Sequence, residues 1–195
     1  MKKMLTLAFM ALAFTSCDKE DGELTEPLTY VHKQINSSFK YTAPTQVDVN
    51  DDGKNDFSFG NVLVSDSRGG HNLFYVRALE ANQVLLNMQE EISIGHWSAA
   101  LQVNDMVQED NSKNFQWVRG AGFLLDQRKP DEVHTFYEGP LASYNTLYLG
   151  IRLKEGDTYK TGWIKLSYIM GSEKVDIVEA AFHPSASKAV KAGER

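Results

Sequence analysis

Cysteine is almost absent from this chain: Cys17 is the only one in 195 residues. A single sulfur closes no disulfide within the chain and builds no multi-thiolate metal site. Long apolar runs are also missing after residue 16, so nothing there is fit to span a bilayer as a helix. Clustered positive charge is lacking as well. Twenty Lys and Arg stand against 26 Asp and Glu, a net charge of −6, which argues against nucleic acid as a partner. No period of 20–50 residues repeats, which excludes solenoids and propellers. The histidines His32, His71, His96, His134 and His183 show no HExxH or close HxH spacing, and there is no GxSxG elbow, P-loop or GxGxxG after a strand. Acidic pairs occur at Glu90-Glu91, Glu109-Asp110 and Asp131-Glu132. A glycosidase dyad is defined by the separation of two carboxyls across a sugar, which a sequence does not display. Solvated surface is their default, and the expectation is that the chain is not an enzyme.

What is present begins at the N-terminus. Lys2 and Lys3 precede an apolar stretch from Met4 to Phe14, then Thr15-Ser16-Cys17. A charged start, a short apolar core and small residues before a cut make a secretory signal over residues 1–16. A cysteine directly after that cut resembles the lipobox of bacterial lipoproteins. The resemblance implies that Cys17 carries acyl chains such as palmitate, that the signal is removed, and that the lipid holds the new N-terminus on a membrane. Removing residues 1–16 leaves 179 residues and, with Lys2 and Lys3 gone, takes the net charge from −6 to −8. The run Asp18-Lys19-Glu20-Asp21-Gly22-Glu23 is a solvated tether, taken as residues 17–27. It is similar to the acidic export signal behind the cysteine of surface lipoproteins in polysaccharide-degrading Gram-negative bacteria. That implies an outer-membrane location facing the exterior; a plain spacer facing the periplasm is the alternative.

Residues 28–195 suit one domain with a sizeable core. Their apolar pattern has period two. Leu73, Tyr75, Arg77 and Leu79 alternate with Phe74, Val76 and Ala78, and Leu147, Leu149, Ile151 and Leu153 with Tyr148, Gly150 and Arg152. Turn signals at Asp52-Gly53, Gly69-Gly70, Glu155-Gly156-Asp157 and Gly171-Ser172 separate such runs. The pattern predicts an all-β fold, an antiparallel β-sandwich of jelly-roll or lectin-like type with long loops. Gln83 to Ile94 is the best helical candidate, though two strands suit it equally. The polar stretches 104–115 and 126–134 read as long loops at one end of the sandwich.

One segment carries chemistry. Asp48, Asn50 and Asp52 put oxygen side chains at alternate positions, Gly53 permits a sharp turn, the Lys54 carbonyl adds an oxygen, and Asp56 is the last ligand, directly or through water. A loop curling round a cation brings alternate side chains inward, and hard oxygens in that number suit Ca²⁺. The segment resembles the calcium loops of EF-hand, dockerin and thrombospondin-type repeats. It departs from the EF-hand at the twelfth position, where Phe59 replaces the bidentate Glu. An Asx-rich turn without an ion is the alternative. A wider resemblance joins this loop to Tyr148-Leu149-Gly150-Ile151-Arg152-Leu153, to Gly162-Trp163-Ile164-Lys165-Leu166-Ser167 and to Val175 through Phe182. Together they look like a group of secreted bacterial β-sandwich proteins, which implies fold and secretion more than activity.

Trp97 and Trp117 sit beside polar, loop-like sequence, with Tyr137 and Tyr144 as weaker companions. Exposed rings would stack on a sugar face; edge packing is the alternative. Trp163, on the hairpin, is expected to cover a sheet face. The sequence therefore reads as a lipid-anchored, calcium-stabilised binding protein with carbohydrate as its ligand. Its rivals are a structural or protein-interaction subunit of an envelope complex and a small glycan-acting hydrolase or lyase.

Overall fold

The period-two stretches become strands because β-branched and aromatic residues pack well on a pleated surface, with successive side chains on opposite faces. The computed structural model describes residues 30–107 and 109–195; the signal peptide, Cys17 and the tether over 17–27 lie outside the described residues. Fourteen strands are described: β1 (Val31–Lys40), β2 (Thr45–Val47), β3 (Phe57–Asp66), β4 (Gly69–Ala78), β5 (Gln83–Ile92), β6 (Gly95–Ser98), β7 (Met106–Val107), β8 (Phe115–Val118), β9 (Ala121–Lys129), β10 (Phe136–Glu138), β11 (Thr146–Glu155), β12 (Thr158–Ser167), β13 (Lys174–Phe182) and β14 (Val190–Lys191). One short helix, α1 (Pro140–Ser143), joins β10 to β11. Among the described residues no helix is long and apolar enough to cross a membrane.

The fold is all-β and sandwich-like. Strands follow the order β1-β13-β12-β11-β5-β6-β9-β4-β3-β2, with β8 on β5 and β10 on β9. Every pairing is antiparallel except the Trp97–Phe123 contact of β6 with β9. That contact joins the β1-to-β5 half to the β9-to-β2 half along one side. Phe39, Phe59 and Phe74 meet between the halves, at centroid distances of 5.3 and 5.9 Å from Phe39. Leu149, Ile151, Ile164 and Ile177 complete this core from the facing strands. Each such side chain contributes about 1.5–3 kcal/mol on burial.

A second apolar layer lies outside β11–β13. Tyr148, Trp163 and Ala181 are covered there by Val107, Val190 and Ala192 from the small β7–β14 sheet. Trp163 is fully buried, edge-on to Tyr148 at 5.2 Å, so it does cover a sheet face, and the C-terminal flap covers it in turn.

Two expectations change. Gln83 to Ile92 is one ten-residue strand, neither a helix nor two strands. The stretch 126–134 is not all loop, since β9 runs on to Lys129. Nor do the two polar stretches share one end. Pro130 stands beside Gly69, whereas Asp110 and Glu109 stand in electrostatic range of Arg152.

The register defines two ends. Lys40 pairs with Lys174 at one, where β3, β9 and β12 finish and β4 begins. Val31 pairs with Phe182 at the other, where the chain enters.

Candidate functional site

The acidic loop lies at the entry end, between β2 and β3. Its side chains curl it by accepting backbone N–H groups. Asp48 accepts from Asp51 at 2.7 Å and Gly53 at 2.9 Å, Asn50 from Asp52 at 3.2 Å, and Asp52 from Lys54 at 2.8 Å. Gly53 has φ 84°, a left-handed conformation that suits glycine, and Asp51 with φ 59° is the tolerant neighbour. Lys33 brings its ammonium to the Asp51 carboxylate and the Asp48 carbonyl. Asp56 turns inward and is buried. It accepts from Val49 N–H at 2.7 Å and from Asn82 Nδ2 at 2.9 Å. Asn82 Oδ1 accepts in turn from Lys154 N–H at 2.8 Å, which ties the loop to β11. Burial raises the Asp56 pKa, while the Val49 and Asn82 hydrogen bonds work against that rise.

These donors fit Ca²⁺ in kind, because all are hard oxygens and an ionised carboxylate keeps about four acceptor sites, not all used by N–H groups. They do not yet converge. No group of three or more His, Cys, Asp or Glu disposed to hold a metal occurs among the described residues.

The tryptophans are not open platforms. Trp97 is 7% exposed and packs with Leu73 and Phe123; Trp117 is 6% exposed and packs with Leu85 in the outer layer. A Cβ on Gly139 would come within 2.5 Å of the Trp97 ring, so this glycine lets the backbone lie against the indole. The Arg152 guanidinium sits 4.5 Å from the Trp117 centroid. Both rings are buried because neighbours arrive from distant parts of the chain. Tyr137 is half-buried and Tyr144 is exposed.

Concavity lies elsewhere. At the end opposite chain entry, a mouth of about 760 Å³ opens between Lys40-Tyr41-Thr42, Leu63 to Ser65, Gly70 to Asn72, Gln127, Lys129 and Glu173. An amide ladder crosses it from strand to strand. Asn61 donates to Asn72 at 2.5 Å, Asn72 to Gln127 at 3.0 Å, and Gln127 to the Tyr168 hydroxyl at 3.2 Å. Register places them there, since Asn61 and Asn72 lie on paired β3 and β4 and Asn72 faces Gln127 on β9. Tyr41 and Leu63 at its rim are 52% and 56% exposed.

A second, lateral cleft of about 590 Å³ lies on the outer face of β4 and β9, under the end of β5. His71 occupies its wall. Its Nδ1 faces Asp126 at 2.6 Å and its Nε2 faces Asp66 at 3.0 Å. Burial opposes the imidazolium, but the hydrogen bonds with Asp126 and Asp66 outweigh it and the His71 pKa stands above its ordinary value. Burial raises the pKa of Asp126. The Arg68 backbone N–H, and then His71, hold Asp66 down at about 2. Glu90, Glu91 and Glu138 line the same cleft.

Neither concave site was visible in sequence motifs. His71 and Asp126 are 55 positions apart, and the ladder draws on β3, β4, β9 and Tyr168 just beyond β12. The only local hint was Gly69-Gly70, a tight hairpin that brings Asp66 back beside His71. Comparison with protein-family models, with curated proteins and with solved structures finds no match.

Proposed function

We propose that this protein is a lipid-anchored, calcium-stabilised β-sandwich of the outer membrane that binds carbohydrate in its mouth without acting on it. The mouth carries the proposal. Amide groups of Asn72 and Gln127 form hydrogen bonds to one another and keep spare acceptor and donor capacity. Tyr41 offers an uncovered ring beside them, and Lys40 and Lys129 stand at the rim. A sugar needs this mixture of an apolar face and convergent amides. Acyl chains on Cys17 would anchor the chain, which enters the fold near Val31, about 33 Å along β1 from the mouth. Titration of the protein with neutral oligosaccharides tests the proposal. Tyr41→Ala and Gln127→Ala should each weaken binding about tenfold, in line with the loss of a stacked ring or a well-made polar contact. Binding unchanged in both variants would refute the mouth as the site.

Calcium belongs at Asp48, Asn50, Asp52 and the Lys54 carbonyl, with Asp56 anchoring the loop from beneath. Its role is to pin the entry to β3. A ligand that binds only the folded state at a hundredfold excess over its Kd adds about 2.7 kcal/mol. Unfolding should therefore move to higher temperature with calcium, and Asp48→Ala/Asp52→Ala should abolish the shift. An unchanged midpoint after thorough chelation and calcium addition would remove calcium from the proposal.

One observation favours a second reading, a glycan-acting hydrolase or lyase: the lateral cleft holds a histidine among carboxylates. Against it, both His71 nitrogens are engaged and Asp126 is buried. Glycan cleavage lost in His71→Ala would favour the enzyme.

A further inference from the structure

Beyond the mouth, the lateral cleft and the acidic loop, one part of the surface gathers positive charge without ion pairs. Arg119 follows β8, Arg152 and Lys154 lie on β11, and all three surround Tyr159 on β12. Arg119 Nη2 donates to the Tyr159 hydroxyl at 3.0 Å. The Lys154 ammonium lies 4.6 Å from the Tyr159 centroid, and the Arg152 guanidinium carbon 5.8 Å from it. Arg152 also lies over Trp117, which fixes the plane of its fork. None of these cations forms an ion pair with any described carboxylate. Asp110 and Glu109 stand in electrostatic range of Arg152 but do not bond to it. The Arg152 Nε is buried and lacks a hydrogen-bond partner among the described residues.

Three cations converge on one aromatic ring with no described carboxylate bonded to them, so their remaining N–H donors are free to take an anion. We infer that this face binds an anionic polysaccharide. Sugar carboxylates would lie on Arg119, Arg152 and Lys154, and a pyranose would pack beside Tyr159. A guanidinium fork matches a carboxylate in two parallel hydrogen bonds, which a point charge does not do. The face lies at the entry end of the sandwich, since Asn82 ties Lys154 to the acidic loop there. It shares no residue with the mouth. Its ligand class rests on the carbohydrate-binding proposal above, and its residues do not.

Polygalacturonate is the probe and dextran the neutral control, with the full chain immobilised for interferometry. Polygalacturonate should bind, and added salt should weaken the binding through screening. Arg119→Gln/Lys154→Gln should weaken it at least about tenfold, because charge-assisted contacts are the strong ones. Arg152→Gln should do the same; as Arg152 packs on Trp117, the double variant keeps the test free of folding effects. Tyr41→Ala in the mouth should leave polygalacturonate binding intact while weakening neutral-glycan binding, so the two proposals fail separately. Three outcomes overturn the inference: no polygalacturonate binding by the unaltered chain, binding that survives the double variant, or equal salt-sensitive binding to phosphatidylglycerol vesicles, which would mark a lipid-facing patch.

Discussion

The two ends of the sandwich treat polar groups differently. At the entry end, Asp56 is buried with both oxygens engaged, and Asn82 passes the connection to Lys154. Nearby on β13, buried Glu179 gathers His32, Gln34, Lys165 and Arg195. At the mouth, Asn72 and Gln127 remain half-buried, and Tyr41 and Leu63 stand uncovered. These buried polar groups at the first end hold strands in place; the half-buried amides at the second keep capacity for a neutral ligand. Substitution of the buried groups at the entry end should therefore cost stability, and substitution at the mouth should cost neutral-glycan binding.

The largest expected effect belongs to the packed tryptophan. Trp117→Ala should destabilise by about 3–5 kcal/mol, because a large buried ring is lost and a cavity remains. Urea unfolding measures this, and an unchanged midpoint would restore Trp117 as an exposed ligand platform. Next comes Asp56→Ala, expected to cost about 3 kcal/mol because Val49 N–H and Asn82 lose their buried partner. If Gln127→Ala proved as costly, the distinction between the two ends would collapse.

Acid supplies a third test. Burial opposes ionisation of Glu179, but His32 and Arg195 overcome it and hold its pKa at about 2, below the ordinary 4.5. A depressed carboxyl contributes stability that is present above pH 4.5 and lost as pH falls from there towards about 2. Glu179→Gln should cost about 2 kcal/mol at neutral pH and flatten the acid limb. His71 has the opposite sign. Its raised pKa contributes stability that is full below the ordinary 6.5 and is lost as pH rises through the folded value. Unfolding midpoints across pH should lose that alkaline decline in His71→Gln. The smallest stability effect belongs to Tyr41→Ala, within about 0.5 kcal/mol as for most exposed positions.

Strand content was legible because alternation is local: Leu147, Leu149, Ile151 and Leu153 show their core face in the sequence, whereas the cover over Tyr148 on the other face does not show. Gln83 to Ile92 was ambiguous because Val84-Leu85-Leu86 is buried on both sides, so its alternation vanishes. Trp97 and Trp117 misled for a different reason. Polar neighbours in sequence say nothing about what arrives from elsewhere, here Gly139, Phe123 and Leu85. The β7–β14 flap pairs Val107 with Val190, a contact that no local pattern announces. The loop at 48–56 was legible as an Asx-curled turn, whereas the inward turn of Asp56 towards Asn82 depended on the fold.

The central claim is that the mouth takes a neutral sugar chain while the entry end holds the fold. A glycan array probed in parallel with the unaltered protein and with Tyr41→Ala/Asn72→Ala tests it most directly, with melting temperatures recorded for both. The account predicts a defined set of glycans bound by the first and lost by the second, at nearly equal melting temperatures. No glycan bound by the unaltered protein, or the same set bound by both, would contradict it.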